Sequence, residues 1–397
     1  MYSEPTEVTR SVSSAPSRHV VFAFDDVTWD SAQRRRMSFS QDQILLGLMG
    51  DPAVERLLVC NRPRSAPIVL VKDRIRRPAP FQETERMRLR QPLRLRRNDP
   101  TGVAALKRHY RAYDRRLRRA AHEFGLERPA IVTSQAFIAG FCDLDWAGPV
   151  TYLAIDDFSA HPSYRRWQRG LLAAFEELAR RRRRLCAVSN AIVDRVQPRG
   201  ASLVLPNAVD PELWSDRPAV PDWLSSLPGP RLLYLGTLDT RLDVEATRQV
   251  ARAWPQGSVV LVGPLEDRAH LAGLLGEPNV FHHGAVGHGS VPAIVAGADA
   301  CLIPHHRTDL TVAMSPLKLY EYLAAGRPVA VTDLEPMSGV AGPVFRVAPA
   351  GDFRPAVAAA LAAGPTDESE RRRFIEENAW PSRRAQALEF VLASDRV

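Results

Sequence analysis

The sequence predicts a doubly wound α/β protein made of two parallel-sheet domains with a cleft between them. Three observations carry that expectation. Short apolar runs rich in Val, Ile and Leu alternate with helix-length segments almost throughout the 397 residues, the pattern of parallel strands covered on both faces. The alternation comes in two series, separated by a proline-rich, polar stretch from Pro206 to Arg231. The length also suits two units at roughly 150 residues each.

In the first series the strand candidates are HVVFAF, RLLVC, IVLVK, AIVTS, VTYLAI, RLCAVS and SLVLP. In the second they are RLLYLG, SVVLVG, NVFHHG, ACLIP, PVAVT and VFRVA. The expected organisation is a polar, disordered tail over residues 1–18 and a first Rossmann-like domain over 19–209. A second such domain follows over 210–380, and 381–397 forms a helix packing back across the hinge. The basic stretch from Arg74 to Asp99 shows no clear period and reads as a mobile loop. Open parallel sheets bind ligands at the carboxyl ends of their strands, so the cleft between two such sheets is the expected active site.

Composition narrows the class. Hydrophobic residues make up 45% and charged residues 25% of the chain, as in globular proteins. No run approaches the roughly 18 apolar residues of a membrane span. The N-terminal segment lacks the apolar core of a signal peptide, so a cytoplasmic protein is expected. Cys60, Cys142, Cys186 and Cys301 show no paired spacing and read as reduced, structural thiols.

The net charge is +8, and of 53 basic residues three are lysines. Arginines cluster at 74–97, 108–119 and 180–184. Solvated helix faces explain such clusters, and so does attraction to an anionic membrane surface or substrate. Aromatic residues do not interleave them as stacking on bases requires, so nucleic acid is not an expected partner.

SPLKLYEYLAAGRPVAVTD, residues 315–333, carries the most specific chemistry. Ser315 reads as an N-cap, Pro316 as the first helical residue and Gly326 as the residue that ends the helix. Lys318 then falls in the first turn, facing the positive end of the macrodipole, where a carboxylate is the favoured residue. A diphosphate between Lys318 and the free N–H groups of the first turn, Leu317 among them, accounts for that placement. Glu321, one turn on, could accept hydrogen bonds from a ribose diol. An exposed i,i+3 ion pair between Lys318 and Glu321 is the plainer explanation, worth a few tenths of a kcal/mol.

This segment resembles the signature of GT-B nucleotide-sugar glycosyltransferases, in particular the bacterial family-four-like group of teichuronic acid and envelope-polysaccharide transferases. TYLAIDDF, AVSNAIVDRV, LPNAVDPELW, LYLGTLDTRLD, LVGPLED and AGADACLIPH are similar to further segments of that pattern, in the same order. The resemblance implies a GT-B fold whose second domain binds a nucleoside diphosphate sugar and whose first binds the acceptor. It implies that Lys318 contacts the diphosphate and Glu321 the ribose. The acceptor would be a glycan, a lipid-linked glycan or a small molecule, met in the cytoplasm or peripherally at the inner membrane face. Neither a metal nor another cofactor is expected. A nucleotide-sugar 2-epimerase and a non-catalytic nucleotide-sugar-binding homologue share the fold and stand as alternatives.

Other positions join the candidate donor site. Gly236 and Thr237 follow the first strand of the second domain and would admit close approach of phosphate to backbone N–H groups. Arg241 offers a guanidinium fork for phosphate, although Arg241 and Asp243 could merely open the next helix. Gly263 and Pro264 resemble the edge of the base pocket, and His305 and His306 lie before the loop that leads to Ser315. On the acceptor side, Asp157 is the favoured general base for the attacking hydroxyl, with Asp156 and Asp26 behind it. Capping of a helix start and pairing with an arginine of SYRRW are the alternative roles for the two aspartates. Many family-four enzymes carry a glutamate eight residues before the ribose glutamate, where this chain has Ala313, which leaves the stereochemical outcome and the donor sugar open. HHGAVGHG at 282–289 and the DLD triplet at 143–145 lack the setting of a metal site.

Overall fold

The computed structural model describes residues 18–25, 27–75 and 77–393. Asp26 and, except for Arg18, the expected N-terminal tail lie outside them. Arg18 pairs with Glu55.

The first half is a seven-stranded parallel sheet: β1 His19–Ala23, β2 Arg56–Cys60, β3 Met87–Arg90, β4 Ala130–Thr133, β5 Val150–Ala154, β6 Arg184–Ala187 and β7 Ser202–Val204. Their spatial order is 3-2-1-4-5-6-7. The second half repeats the plan with β8 Arg231–Leu235, β9 Ser258–Val262, β10 Val280–Gly284, β11 Ala300–Ile303, β12 Val329–Thr332 and β13 Val344–Val347. Its order is 10-9-8-11-12-13, all parallel. In both sheets the order reverses beside the first strand, between β1 and β4 and between β8 and β11. Those are the switch points at which doubly wound sheets open a crevice.

The apolar runs behave as strands buried on both faces. Val21 and Ala23 enter a cluster with Tyr110, Tyr113 and Leu117, from the long helix Val103–Glu123. Val20 and Phe22 face the other way, against Leu45 and Val391. β8 divides likewise, Leu233 to one cluster and Leu232 with Tyr234 to the other. At about 1.5–3 kcal/mol per fully buried aliphatic or Phe side chain, a central strand anchors two layers at once.

The helix Trp380–Leu392 lies against the helix Ser40–Gly50 of the first half. Arg384 donates to Gln43 Oε1, and the Arg184 side chain donates to the Phe390 carbonyl. Further bonds join the halves near the cleft. Asn207 N–H donates to Ser315 Oγ and Asn207 Nδ2 to the Ser315 carbonyl.

Two expectations are corrected here. IVLVK is not a strand; it lies in the helix Ala66–Ile75. Leu70 and Val71 are exposed, so no second face covers the run as a central strand requires. The sheet edge is taken instead by β3, MRLR, from the stretch expected to be a loop. Its half-buried side chains suit an edge strand, and their arginines hide the apolar alternation. Leu93–Arg94 in the same stretch pairs with Arg64–Ser65 as a separate two-stranded ladder.

Candidate donor and acceptor sites

The loops after β8 and β11 meet at the second switch point. Asp243 N–H donates to the Pro304 carbonyl and His306 N–H to the Arg241 carbonyl, tying the two loops together. Gly236 has φ 142° and Gly263 φ 147°. A Cβ on Gly263 would stand 2.0 Å from the Gly236 carbonyl oxygen, so the two turns touch through bare backbone. Gly236 N–H is used by the Val262 carbonyl.

The helix that carries Lys318 is shorter than expected: Leu317–Ala324, with Pro316 in the N-cap place and no side-chain cap. Ser315 is not the cap because its oxygens accept from Asn207. Lys318 is therefore at the second helical position. The end closes as a Schellman motif: Gly326, φ 70°, donates to the Leu323 carbonyl and Arg327 to the Tyr322 carbonyl.

Lys318 Nζ sits 4.0 Å from the centroid of the Tyr234 ring and 3.5 Å from His305 Nε2. A Cβ on Gly236 would fall 2.7 Å from that ammonium, so the Gly236 turn lies directly against it. Burial first, and Arg241 second, push the Lys318 pKa down to about 7; Asp239 and Glu321 oppose the shift. His305 is buried, and burial followed by Lys318 holds its imidazole well below the usual range. It is therefore a neutral group beneath Lys318, also 3.2 Å from Tyr234 Oη.

Arg241 Nε and NH2 fork onto the Asp239 carboxylate. Burial would lower the Arg241 pKa, but this fork outweighs it and the pKa is raised. Asp243, by contrast, caps the helix Val244–Ala253. The two cations, Lys318 and Arg241, repel each other, and an anion between them would relieve that repulsion.

Glu321 is 4% exposed, and burial raises its pKa to about 7 against the pull of Lys318. His288 Nδ1 lies 3.7 Å from its carboxylate. Both line a cavity of about 280 Å³ that Arg36, Asp210 and Leu317 also border. Glu321 and Lys318 thus make no direct ion pair; one faces this cavity and the other the Gly236 turn. Thr237 contributes its carbonyl to Tyr234 Oη, Pro264 is exposed, and His306 lies 3.6 Å from Asp243.

Across the cleft, Asp156 and Asp157 follow β5 and behave differently. Asp157 is 1% exposed; Oδ1 accepts from Ser159 N–H and Oγ–H, and Oδ2 faces Arg195 Nε at 3.5 Å. It stabilises its own loop, and its arginine comes from the helix Asn190–Val196, not from SYRRW. Asp156 is half-buried, accepts the Asp157 N–H, and has its pKa raised to about 6 by burial, with Arg241 pulling the other way. Asp156 is therefore the aspartate that senses the donor-side arginine.

Sequence reasoning missed Asp25, two residues past the carboxyl end of β1 and just before Asp26. It is buried, its pKa is raised to about 6 by burial, and it accepts from Val27 N–H and Gln41 Nε2. With Ser134, Tyr164 and Trp167 it lines a small cavity at the first switch point. Its place at a strand's carboxyl end was the available signal. Asp239, Tyr234 and His288 were also missed; Tyr234 and His288 act through partners distant in sequence, whereas Asp239 holds Arg241 only two residues on. Asp143 pairs with Arg181. Among the described residues no group of three or more His, Cys, Asp or Glu could hold a metal ion.

With this geometry in place, comparison with known proteins decides the second half. Residues 229–363 match the family model described as glycosyl transferases group 1. Those residues form a group 1 glycosyl transferase domain.

The group 1 domain contains Gly236, Arg241, Gly263, His305, Lys318 and Glu321 together. A Bacillus subtilis (strain 168) protein named for teichuronic acid biosynthesis, the glycosyltransferase TuaH, is 31% identical over 141 residues. That alignment covers 34% of this chain and only 36% of the relative. Solved structures extend the likeness to the whole fold. Sucrose-phosphate synthase of Thermosynechococcus elongatus superposes with a TM-score of 0.63 at 15% identity, covering 94% of this chain and 98% of that one. A UDP-forming α,α-trehalose-phosphate synthase of Burkholderia xenovorans gives 0.66 at 13% identity, covering 96% and 100%. Anabaena Alr3699/HepE, solved with UDP and glucose, gives 0.57 at 15% identity, covering 94% and 99%. The architecture around the group 1 domain is thus GT-B, two Rossmann-like halves flanking a cleft.

Proposed function

We propose that this chain transfers a sugar from a nucleoside diphosphate sugar to an acceptor hydroxyl in the cleft between its halves. The observation that carries the reading is Lys318. Its half-buried ammonium at a helix start, against the Gly236 turn and next to Arg241, needs an anion, and a diphosphate supplies one. Glu321, on the same helix, faces the adjoining cavity and suits the ribose diol. UDP in the Anabaena structure, and the nucleotide-sugar chemistry in the names of the relatives, support this reading.

In the reaction the anomeric bond to the diphosphate breaks as the acceptor oxygen bonds to the sugar. Lys318, the N–H groups at the start of the Leu317–Ala324 helix and Arg241 stabilise the departing diphosphate. Asp156 is placed to take the acceptor proton if attack is direct; its raised pKa suits that role near neutrality. Asp157 positions the loop. No metal or other cofactor enters this proposal.

The acceptor is met at an anionic membrane surface. The helix Ala66–Ile75 exposes Leu70 (67%), and Leu95 (87%), just after the ladder strand Leu93–Arg94, is exposed together with its chain neighbours Arg96 and Arg97. Apolar side chains among arginines suit an interface with acidic headgroups. Flotation with phosphatidylglycerol vesicles but not phosphatidylcholine vesicles is the expected result, and equal behaviour with both would remove this part.

The test of the main reading is a thermal-shift panel of UDP, GDP, dTDP and their sugars on wild type and Lys318→Ala. Selective stabilisation by one of these, lost in the variant, is expected because a ligand bound only by the folded state raises its stability. Conversion of a donor sugar without any acceptor would point to the epimerase instead. No stabilisation by any nucleotide would overturn the donor site.

A further inference from the structure

The cavity beside Glu321 belongs to both halves of the molecule. Arg36 reaches it from the loop after the helix Trp29–Arg34, Asp210 and Glu212 from the connection, and His288 and Glu321 from the group 1 domain. Arg36 and Met37 are consecutive left-handed residues, φ 55° and 54°, a conformation disfavoured for side chains with a Cβ and common at functional loops. That turn carries the Arg36 guanidinium across the cleft to the main chain at Gly289, where a Cβ would stand 2.3 Å from its NH1. Although it faces Glu321 across one cavity, this guanidinium makes no hydrogen bond or ion pair among the described residues.

The charge of the walls says which part of a donor fits. Asp210, Glu212 and Glu321 repel phosphate, so the diphosphate belongs on the Lys318 and Arg241 side. A neutral end of the donor, nucleoside or sugar, belongs here, and Glu321, assigned above to the ribose diol, selects the nucleoside. The volume of about 280 Å³ lies near the lower end of small-molecule sites.

We infer that this cavity receives the nucleoside of the donor and that Arg36 holds its base from the opposite half. The inference rests on the function proposed above and adds a base-reading residue to it. A planar guanidinium can stack on a base and donate to a carbonyl oxygen at its edge. Uracil and guanine offer such an edge, whereas adenine presents an amino group there. Glu321 favours a ribose over a 2′-deoxyribose. Because Arg36 and Glu321 lie on different halves, the base pocket is complete only when the halves are together.

Isothermal titration of UDP, GDP, ADP, dTDP and inorganic pyrophosphate, on wild type and Arg36→Ala, tests this. Wild type should bind UDP or GDP about tenfold more tightly than ADP or dTDP. Arg36→Ala should lose about tenfold on that nucleotide, in line with loss of a charged hydrogen bond, and lose much of the preference over ADP. Its pyrophosphate affinity and melting temperature should stay near wild type, since Arg36 is exposed and is not among the charges that act on Lys318. Unchanged nucleotide affinity in Arg36→Ala would overturn the inference while leaving the donor site standing. An equal loss for pyrophosphate would overturn it too, making Arg36 a phosphate contact. Absence of any nucleotide binding by wild type would instead overturn the proposed function itself.

Discussion

Ser189, in the first half, donates its hydroxyl to the main-chain carbonyl of Ala313 in the second. The bond fixes the segment just before Ser315 against the other half. It also turns the Ala313 methyl into the apolar cluster of the first half, where it is buried with Ile192 and Val188. The position where similar enzymes carry a glutamate is therefore core in this chain.

From that placement, Ala313→Glu should not create a sugar contact. A carboxylate driven into this cluster without a partner should destabilise the protein by about 3 kcal/mol or more. Thermal unfolding without ligand would show it as a lower melting temperature. A variant of unchanged stability and increased donor affinity would refute the core assignment.

Donor affinity should pass through a maximum near pH 7. Lys318 has a pKa near 7, and a bound diphosphate would raise it, so binding takes up a proton above pH 7 and weakens as pH climbs. Glu321, also near 7, loses its carboxylate charge as pH falls, which weakens the ribose contact on the acid side. Lys318→Arg should flatten the alkaline limb and Glu321→Gln the acid limb. Titration calorimetry between pH 5.5 and 9 reads both, with Asp239, His305 and Arg241 as the other ionisable groups facing Lys318.

Gly263→Ala should be severe and Gly287→Ala almost silent. At Gly263 the new methyl would meet the Gly236 carbonyl at 2.0 Å on a backbone with φ 147°. At Gly287 nothing lies within 4 Å. A loss of roughly 2 kcal/mol or more against at most about 0.5 is expected, visible as a difference in melting temperature. Equal melting temperatures would show that the two turns do not touch.

The adjacent aspartates should separate in assay. Asp157→Asn weakens the contacts to Arg195 and Ser159 and should lower stability by about 1–2 kcal/mol. Asp156→Asn should leave stability and UDP binding near wild type and reduce kcat at least about a hundredfold. If turnover follows Asp157 instead, the base assignment moves to Asp157. If neither substitution affects kcat beyond its effect on stability, attack needs no base from this loop.

The sequence was most readable where one segment carries its own explanation. Each of the six second-half runs proposed as strands is one: each is short and bounded by turn residues, and all but NVFHHG, with its two histidines, are mainly apolar. Lys318 and Glu321 stood out because a cation in a first helical turn needs a reason. The MRLR edge strand was hidden because an edge strand with arginines has no continuous apolar run. IVLVK misled for the opposite reason: an apolar run too short to distinguish helix from strand by periodicity.

What the sequence determined by itself was the pair of parallel sheets, the two-series plan and the helix that carries Lys318 and Glu321. These follow from local patterns, apolar runs and helix signals, that are written in consecutive residues. Only the tertiary structure decided that Ser315 bonds to Asn207 instead of capping its helix, that Lys318 lies over the Tyr234 ring, and that Arg36 faces Glu321. Those pairs join residues far apart in the chain. Their partners were selected by which strand ends the two sheets bring together, and no local pattern records that choice.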